Sequence, residues 1–140
     1  MATAPLVTVL LAVSDGERYL RKALESALRQ TVADLELLVV DDGSTDATPQ
    51  ILAEVADERL RVLRNEERLG LAASLNRGLD EARGHYVARL DADDVALPRR
   101  LERQLARLRS GAPLGIVGTA VVTLDAVDRP GELAVMPSGP

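Results

Sequence analysis

The sequence has no cysteine, no tryptophan and no phenylalanine, and its only aromatic residues are Tyr19 and Tyr86. Without cysteine there can be no disulfide scaffold, no cysteine-ligated zinc or iron–sulfur centre and no thiol nucleophile. With so few rings, a single-stranded nucleic-acid binder that stacks bases on aromatic faces is excluded. Positive charge is also scarce: 17 Lys and Arg face 22 Asp and Glu, for a net charge of −5. That balance argues against a basic patch working on a phosphate backbone. Long apolar runs are missing too. The run at Leu6–Val13 contains Thr8 and is too short to cross a bilayer. No basic leader followed by a small-residue cleavage site is visible. The expectation is a cytoplasmic protein with no nucleic-acid partner and no transmembrane segment.

What is present is a chain of 140 residues, 46% apolar, enough for one core built from Leu, Val, Ile and Ala. Short apolar runs recur at Leu6–Val13, Leu35–Val40, Leu60–Leu63, Tyr86–Leu90 and Gly115–Leu124. Nearly continuous apolar runs of this length suit parallel strands covered on both faces. Helical spacing separates them. Leu20, Ala23, Leu24, Ala27 and Leu28 form one stripe, and Ile51, Leu52 and Val55 a shorter one. Leu71, Ala72, Leu75, Leu79 and Ala82 form a third, and Leu97, Leu101, Leu105 and Leu108 a fourth. Ser14 and Glu17 have the spacing of a capping box for the first helix, and Asp46 can cap the second. The alternation predicts an open α/β fold with a mostly parallel sheet.

In such a sheet, ligands gather outside the carboxyl ends of the strands. Five carboxylates are expected there: Asp41 and Asp42 after the second strand, and Asp91, Asp93 and Asp94 after the fourth. Crowded like charges repel unless a cation or hydrogen-bonding ligand compensates them. All-oxygen ligation without histidine favours Mg²⁺ or Mn²⁺, and a metal so bound can accept phosphate oxygens. Asp-x-Asp by itself says little, because twelve aspartates yield roughly one such triplet by chance. Acidic residues after strands also cap helices and form turns, which is the simpler account of Asp46 and Asp94. Asp42 and Asp93 carry more weight, since they fall at two adjacent strand ends. His85 precedes the fourth strand, at the opposite edge, and takes no role.

Together the segments VTVLLAVSDGERYLRKALESALRQT, LELLVVDDGSTDAT, NEERLGLAASLNRGLDEARGHYVARLDADDVALPRRLERQ and LGIVGT resemble the nucleotide-sugar-binding part of inverting family 2 glycosyltransferases. The resemblance runs from Val7 to Thr119. It implies the GT-A fold, a Rossmann-like three-layer α/β/α sandwich, and transfer of a sugar from a nucleotide-diphosphate donor, UDP-linked by expectation, to an acceptor hydroxyl. Ala12, Val13, Ser14 and Asp15 match the family's first-strand motif and would line the nucleobase pocket. Asp41 and Asp42 match its acidic pair, with Asp42 on the base. Asp91, Ala92 and Asp93 match its Asp-x-Asp, with Asp93 on Mn²⁺ or Mg²⁺ and Asp91 on the ribose or the metal. Arg68 would approach the base or the diphosphate.

Two departures stand out. Ser14 and Asp15 replace the family's usual Tyr and Asn, which removes a ring from the base pocket. The family's general base, an Asp or Glu beyond an antiparallel turn of the sheet, has no counterpart, because Asp125, Asp128 and Glu132 come too early. The expected organisation is therefore a donor-binding half-domain over residues 1–127, cut off after the fifth strand. A Pro- and Gly-rich tail over 128–140 would follow. The alternative is a fragment that binds nucleotide but transfers nothing; the acceptor, whether saccharide, lipid-linked saccharide or protein, stays open. A receiver-like signalling domain is a remote alternative. A full strand–helix unit precedes the acidic pair, and the only lysine, Lys22, is far from where a receiver needs one. A Rossmann dehydrogenase fails for want of Gly-x-Gly-x-x-Gly after the first strand.

Overall fold

A computed structural model of the chain describes residues 3–125 and 127–134. The chain divides into two compact units, one up to Arg99 and one from Arg100 onward; composition placed a division at 127/128, and residues 135–140 of the expected tail lie outside the described residues.

The first unit holds strands β1 (Val7–Val13), β2 (Leu35–Asp42), β3 (Leu60–Asn65) and β4 (Tyr86–Arg89), with helices α1 (Leu20–Leu28), α2 (Thr48–Ala53) and α3 (Leu71–Glu81) between them. The strands form one parallel sheet in the order β3-β2-β1-β4. Every residue of β2 is buried, as its position inside the sheet demands. The register pairs Leu10 with Leu38 and Ala12 with Val40, so these side chains share one face. Leu75 and Ala82 pack against Leu10, Leu38 and Val40 on that face. Each leucine buried there removes apolar surface worth about 1.5–3 kcal/mol from water.

Helix α3 reaches the sheet differently from the expected stripe. Its buried residues are Ser74 and Gly78, whereas Leu71 and Leu79 are more than half exposed. A Cβ on Gly78 would lie 2.3 Å from Leu10 Cδ1, so the small residues set how closely the helix approaches. The capping box expected for α1 does not form. Its first turn is preceded by Tyr19, and no side chain caps it. Ser14 and Glu17 bond elsewhere, as described below. Asp46 is not the N-cap of α2 either: that position is Ala47, with no side-chain cap bond, and Asp46, one residue earlier, accepts from the Thr48 N–H on Oδ1 at 2.8 Å.

The second unit contains α4 (Arg100–Leu108), β5 (Val121–Leu124) and β6 (Pro130–Ala134). Leu101 and Leu105 are buried on α4, while Leu97 precedes the helix and is 76% exposed. The expected strand over 115–124 is shortened to its last four residues, and it pairs antiparallel with β6 instead of joining the parallel sheet. An apolar run shows that a segment can be a strand but not which neighbour it finds. No helix among the described residues is long and apolar enough to cross a membrane.

Candidate functional site

At the carboxyl end of β1 the chain turns sharply through Ser14, Asp15 and Gly16. Asp15 has a φ of 51°, a left-handed conformation that Asp tolerates better than most residues because its short polar side chain bonds locally. This turn is laced to the loop after β2. The Asp15 N–H donates to Ser44 Oγ at 2.9 Å, and the Gly16 N–H donates to Thr48 Oγ1 at 2.9 Å. The Glu17 N–H donates to Asp46 Oδ2 at 3.0 Å. In the other direction, Thr45 N–H donates to Asp15 Oδ1 at 2.8 Å and Ala47 N–H to Glu17 Oε2 at 2.9 Å. Ser14 Oγ donates to the Asp42 carbonyl at 3.3 Å. The two candidate capping residues are thus held by partners about thirty positions away.

Asp41 and Asp42 belong to the last two residues of β2 and are only 1% and 5% exposed. Asp41 is answered by the Arg64 guanidinium and by the Ser44 N–H at 3.0 Å. Asp42 accepts three N–H groups: Asn65 Nδ2 at 2.7 Å, Leu69 at 2.8 Å and Gly70 at 2.9 Å. Burial alone pushes the Asp42 carboxyl up, but the bonds from Leu69, Asn65, Gly70 and the Ser74 hydroxyl outweigh it and hold its pKa below the ordinary aspartate value. Gly43, at φ +64°, lets the next loop lie close: a Cβ there would be 3.1 Å from the Glu67 carbonyl carbon and 3.2 Å from the Arg68 nitrogen. Arg68 extends from that loop to pair with Asp15 Oδ2.

Beyond β4, Asp91 accepts from Arg89 Nε at 3.0 Å and Arg89 Nη2 at 2.8 Å, both on Oδ1. The Asp94 N–H donates to the Asp91 carbonyl at 3.1 Å, closing a turn that presents Asp93 to solvent. No hydrogen bond or ion pair to Asp93's carboxylate is found among the described residues.

An open cleft of about 410 Å³ lies at these strand ends. Ala12, Val13, Ser14, Asp15, Asp91, Ala92 and Asp93, all singled out from sequence, line it together with Gly16, Tyr19 and Leu71. Asp41, Asp42 and Arg68 are not among its lining residues. Tyr19 and Leu71 were missed in the sequence. Tyr19 could have been noticed as one of two aromatics, but nothing in the pattern separates Leu71 from the core-facing positions of its helix.

The expected crowding of five bare carboxylates does not occur. Among the described residues no three acidic or histidine side chains gather as a metal cage. Arg64 compensates Asp41, Arg89 compensates Asp91, and N–H groups satisfy Asp42. Repulsion therefore does not by itself call for a cation.

The sequence profile of Glycosyl transferase family 2 matches residues 8–132. The chain belongs to that family. Among its relatives is a putative glycosyltransferase, EpsE, of Bacillus subtilis, 38% identical over 143 residues, with all of this chain and 51% of EpsE covered. Among solved structures, the mannosyltransferase PcManGT from Pyrobaculum calidifontis, in complex with GDP-Man and Mn²⁺, is 30% identical with a TM-score of 0.67. That match covers 74% of this chain and 32% of PcManGT. TarS 1–349 of S. aureus in complex with UDP-GlcNAc gives a TM-score of 0.71 at 24% identity, covering 85% of this chain and 40% of TarS, a likeness of fold. This family 2 chain therefore has the GT-A fold, and it spans about half the length of EpsE and less of the others.

Proposed function

We propose that the cleft binds the nucleoside-diphosphate part of a sugar donor, and that the chain is the donor-binding part of a glycosyltransferase acting on an acceptor hydroxyl. The observation carrying this reading is Asp93, an exposed carboxylate with no partner among the described residues, set beside Asp91 in the cleft at the strand ends. The residues fit a divalent ion. Mg²⁺ and Mn²⁺ accept oxygen donors, and Mg²⁺ in particular is commonly held by one or two carboxylates with substrate phosphates completing its shell. Asp93 would hold the ion and Asp91 would support it, which needs no three-carboxylate cage. When bound, the metal supplies charge compensation for the diphosphate as the sugar leaves. GDP-Man and Mn²⁺ in the mannosyltransferase neighbour support the same reading.

Around that ion the chain's own residues have separate tasks. Ala12, Val13 and Gly16 line the cleft with small residues, while Tyr19 and Leu71 offer apolar surface for a base. Asp42 acts at one remove. Its carboxylate is occupied by the N–H groups of the loop that carries Arg68, so it positions that loop instead of meeting the nucleobase freely.

Calorimetric titration of the chain with UDP and with GDP, each with and without Mn²⁺, tests the proposal. Metal-dependent binding is expected, weakened at least tenfold in Asp93→Ala. Binding that ignores the metal, or is unchanged in Asp93→Ala, overturns it.

A further inference from the structure

The two oxygens of Asp15 have different employers. Oδ1 accepts from the Thr45 N–H at 2.8 Å and more weakly from the Asp46 N–H at 3.4 Å, and so secures the turn after β1 to the loop after β2. Oδ2 takes the Arg68 guanidinium. The backbone that carries Arg68 is fixed on both sides. Leu69 and Gly70 donate to Asp42, and the Glu67–Arg68 peptide rests on Gly43. Only the Arg68 side chain is left to move, and it is 55% exposed against 35% for Asp15. Asp15 lines the cleft, so the guanidinium is held at its rim by an anion of the protein itself.

We propose that Asp15 competes with the donor's diphosphate for Arg68, so that nucleotide binding exchanges an internal ion pair for an external one. This rests on the reading of the cleft as a donor site. A guanidinium offers phosphate the same forked donors that it offers a carboxylate, and phosphate carries more charge. An exposed pair is weak enough to be exchanged, worth about a two- to fivefold factor in an equilibrium constant. Asp15 thus sets how strongly the cleft holds a diphosphate and is a specificity-determining residue for charged over uncharged ligands.

The atoms supply a clean test. In Asp15→Asn the amide keeps Oδ1 for Thr45 and Asp46 and replaces Oδ2 by an NH₂ group that cannot accept from Arg68. Asn also tolerates the left-handed backbone. The variant should melt as the parent does and bind UDP with Mn²⁺ about two- to fivefold more tightly, whereas Arg68→Ala should bind it more weakly. The gain in Asp15→Asn and the loss in Arg68→Ala should both be smaller for uridine, which has no phosphate, than for UDP. Unchanged or weaker UDP binding in Asp15→Asn, or unchanged UDP binding in Arg68→Ala, overturns the competition while leaving the donor site intact. Failure of the parent chain to bind UDP with Mn²⁺ defeats the donor reading and this inference with it.

Discussion

Two stretches of the same rim use aspartate in opposite ways. On the β2–β3 side, Asp41 and Asp42 are buried and saturated by Arg64, Ser44, Asn65, Leu69 and Gly70. On the β1–β4 side, Asp91 and Asp93 line an open cleft; among the described residues Arg89 alone meets the Asp91 carboxylate and nothing meets that of Asp93. Residue type and strand-end position are shared, so neither explains the difference. What differs is whether neighbouring backbone N–H groups converge on the carboxylate. Where they do, the acid organises the fold; where they do not, it is available to a ligand.

The sharpest way to break this contrast is to remove the better-satisfied acid of the buried pair. Asp42→Ala leaves the Leu69 and Gly70 N–H groups and the Asn65 amide without their acceptor, and about 3 kcal/mol of stability should be lost. Urea unfolding measures it; a loss below 1 kcal/mol would mean that water replaces the carboxylate easily. The same residue gives a pH signature. Its pKa is lowered on folding, so its contribution is complete above the unfolded value and fades as the pH falls through the lower folded one. Acid below about pH 4 should therefore destabilise the parent protein more than Asp42→Asn.

Much of this organisation could be read in the sequence, and the omissions have physical reasons. Strands β1 to β4 and their helices follow from apolar runs and helical spacing: β1 and β2, inside the sheet, are buried almost throughout, while β3 and β4 at its edges keep exposed residues. The acidic strand ends were equally visible. Their separation into satisfied and available sets was not, since it depends on Arg64 and the Leu69–Gly70 backbone arriving from elsewhere in the chain. The capping box failed for the same reason. Ser14 and Glu17 have the right spacing, but the Asp42 carbonyl and the Ala47 N–H outbid the local partners. On α3 the hydrophobic pattern pointed at Leu71 and Leu79, whereas Ser74 and Gly78 face inward, because close approach to Leu10 selects for size before polarity.

A smaller change sharpens the contrast at the joint between the two stretches. Gly43→Ala puts a side chain on a residue with φ +64° and presses it against the Glu67–Arg68 peptide. The left-handed backbone alone costs about 1–2 kcal/mol. Thermal melting should show that loss, and UDP affinity should also fall because the loop carrying Arg68 is displaced. If stability falls while affinity holds, the loop is a structural element only, and the two stretches of the rim are independent.

The smallest effect on stability belongs to Asp93. Its carboxylate is exposed and nothing in the described chain bonds to it, so Asp93→Ala removes no protein–protein interaction. Stability should stay within about 0.5 kcal/mol of the parent, with a slight gain favoured because one negative charge leaves a chain of net charge −5. Asp42→Ala and Asp93→Ala then form a matched pair: one lowers stability through the network it anchors, the other spares stability and acts on metal-dependent binding. A loss of stability in Asp93→Ala comparable to that in Asp42→Ala would show that both acids are structural and would erase the distinction between the two stretches. A residue that is costless to the fold and decisive for the ligand is what a binding carboxylate should be, since a group already satisfied by the protein must surrender those bonds before it can serve anything else.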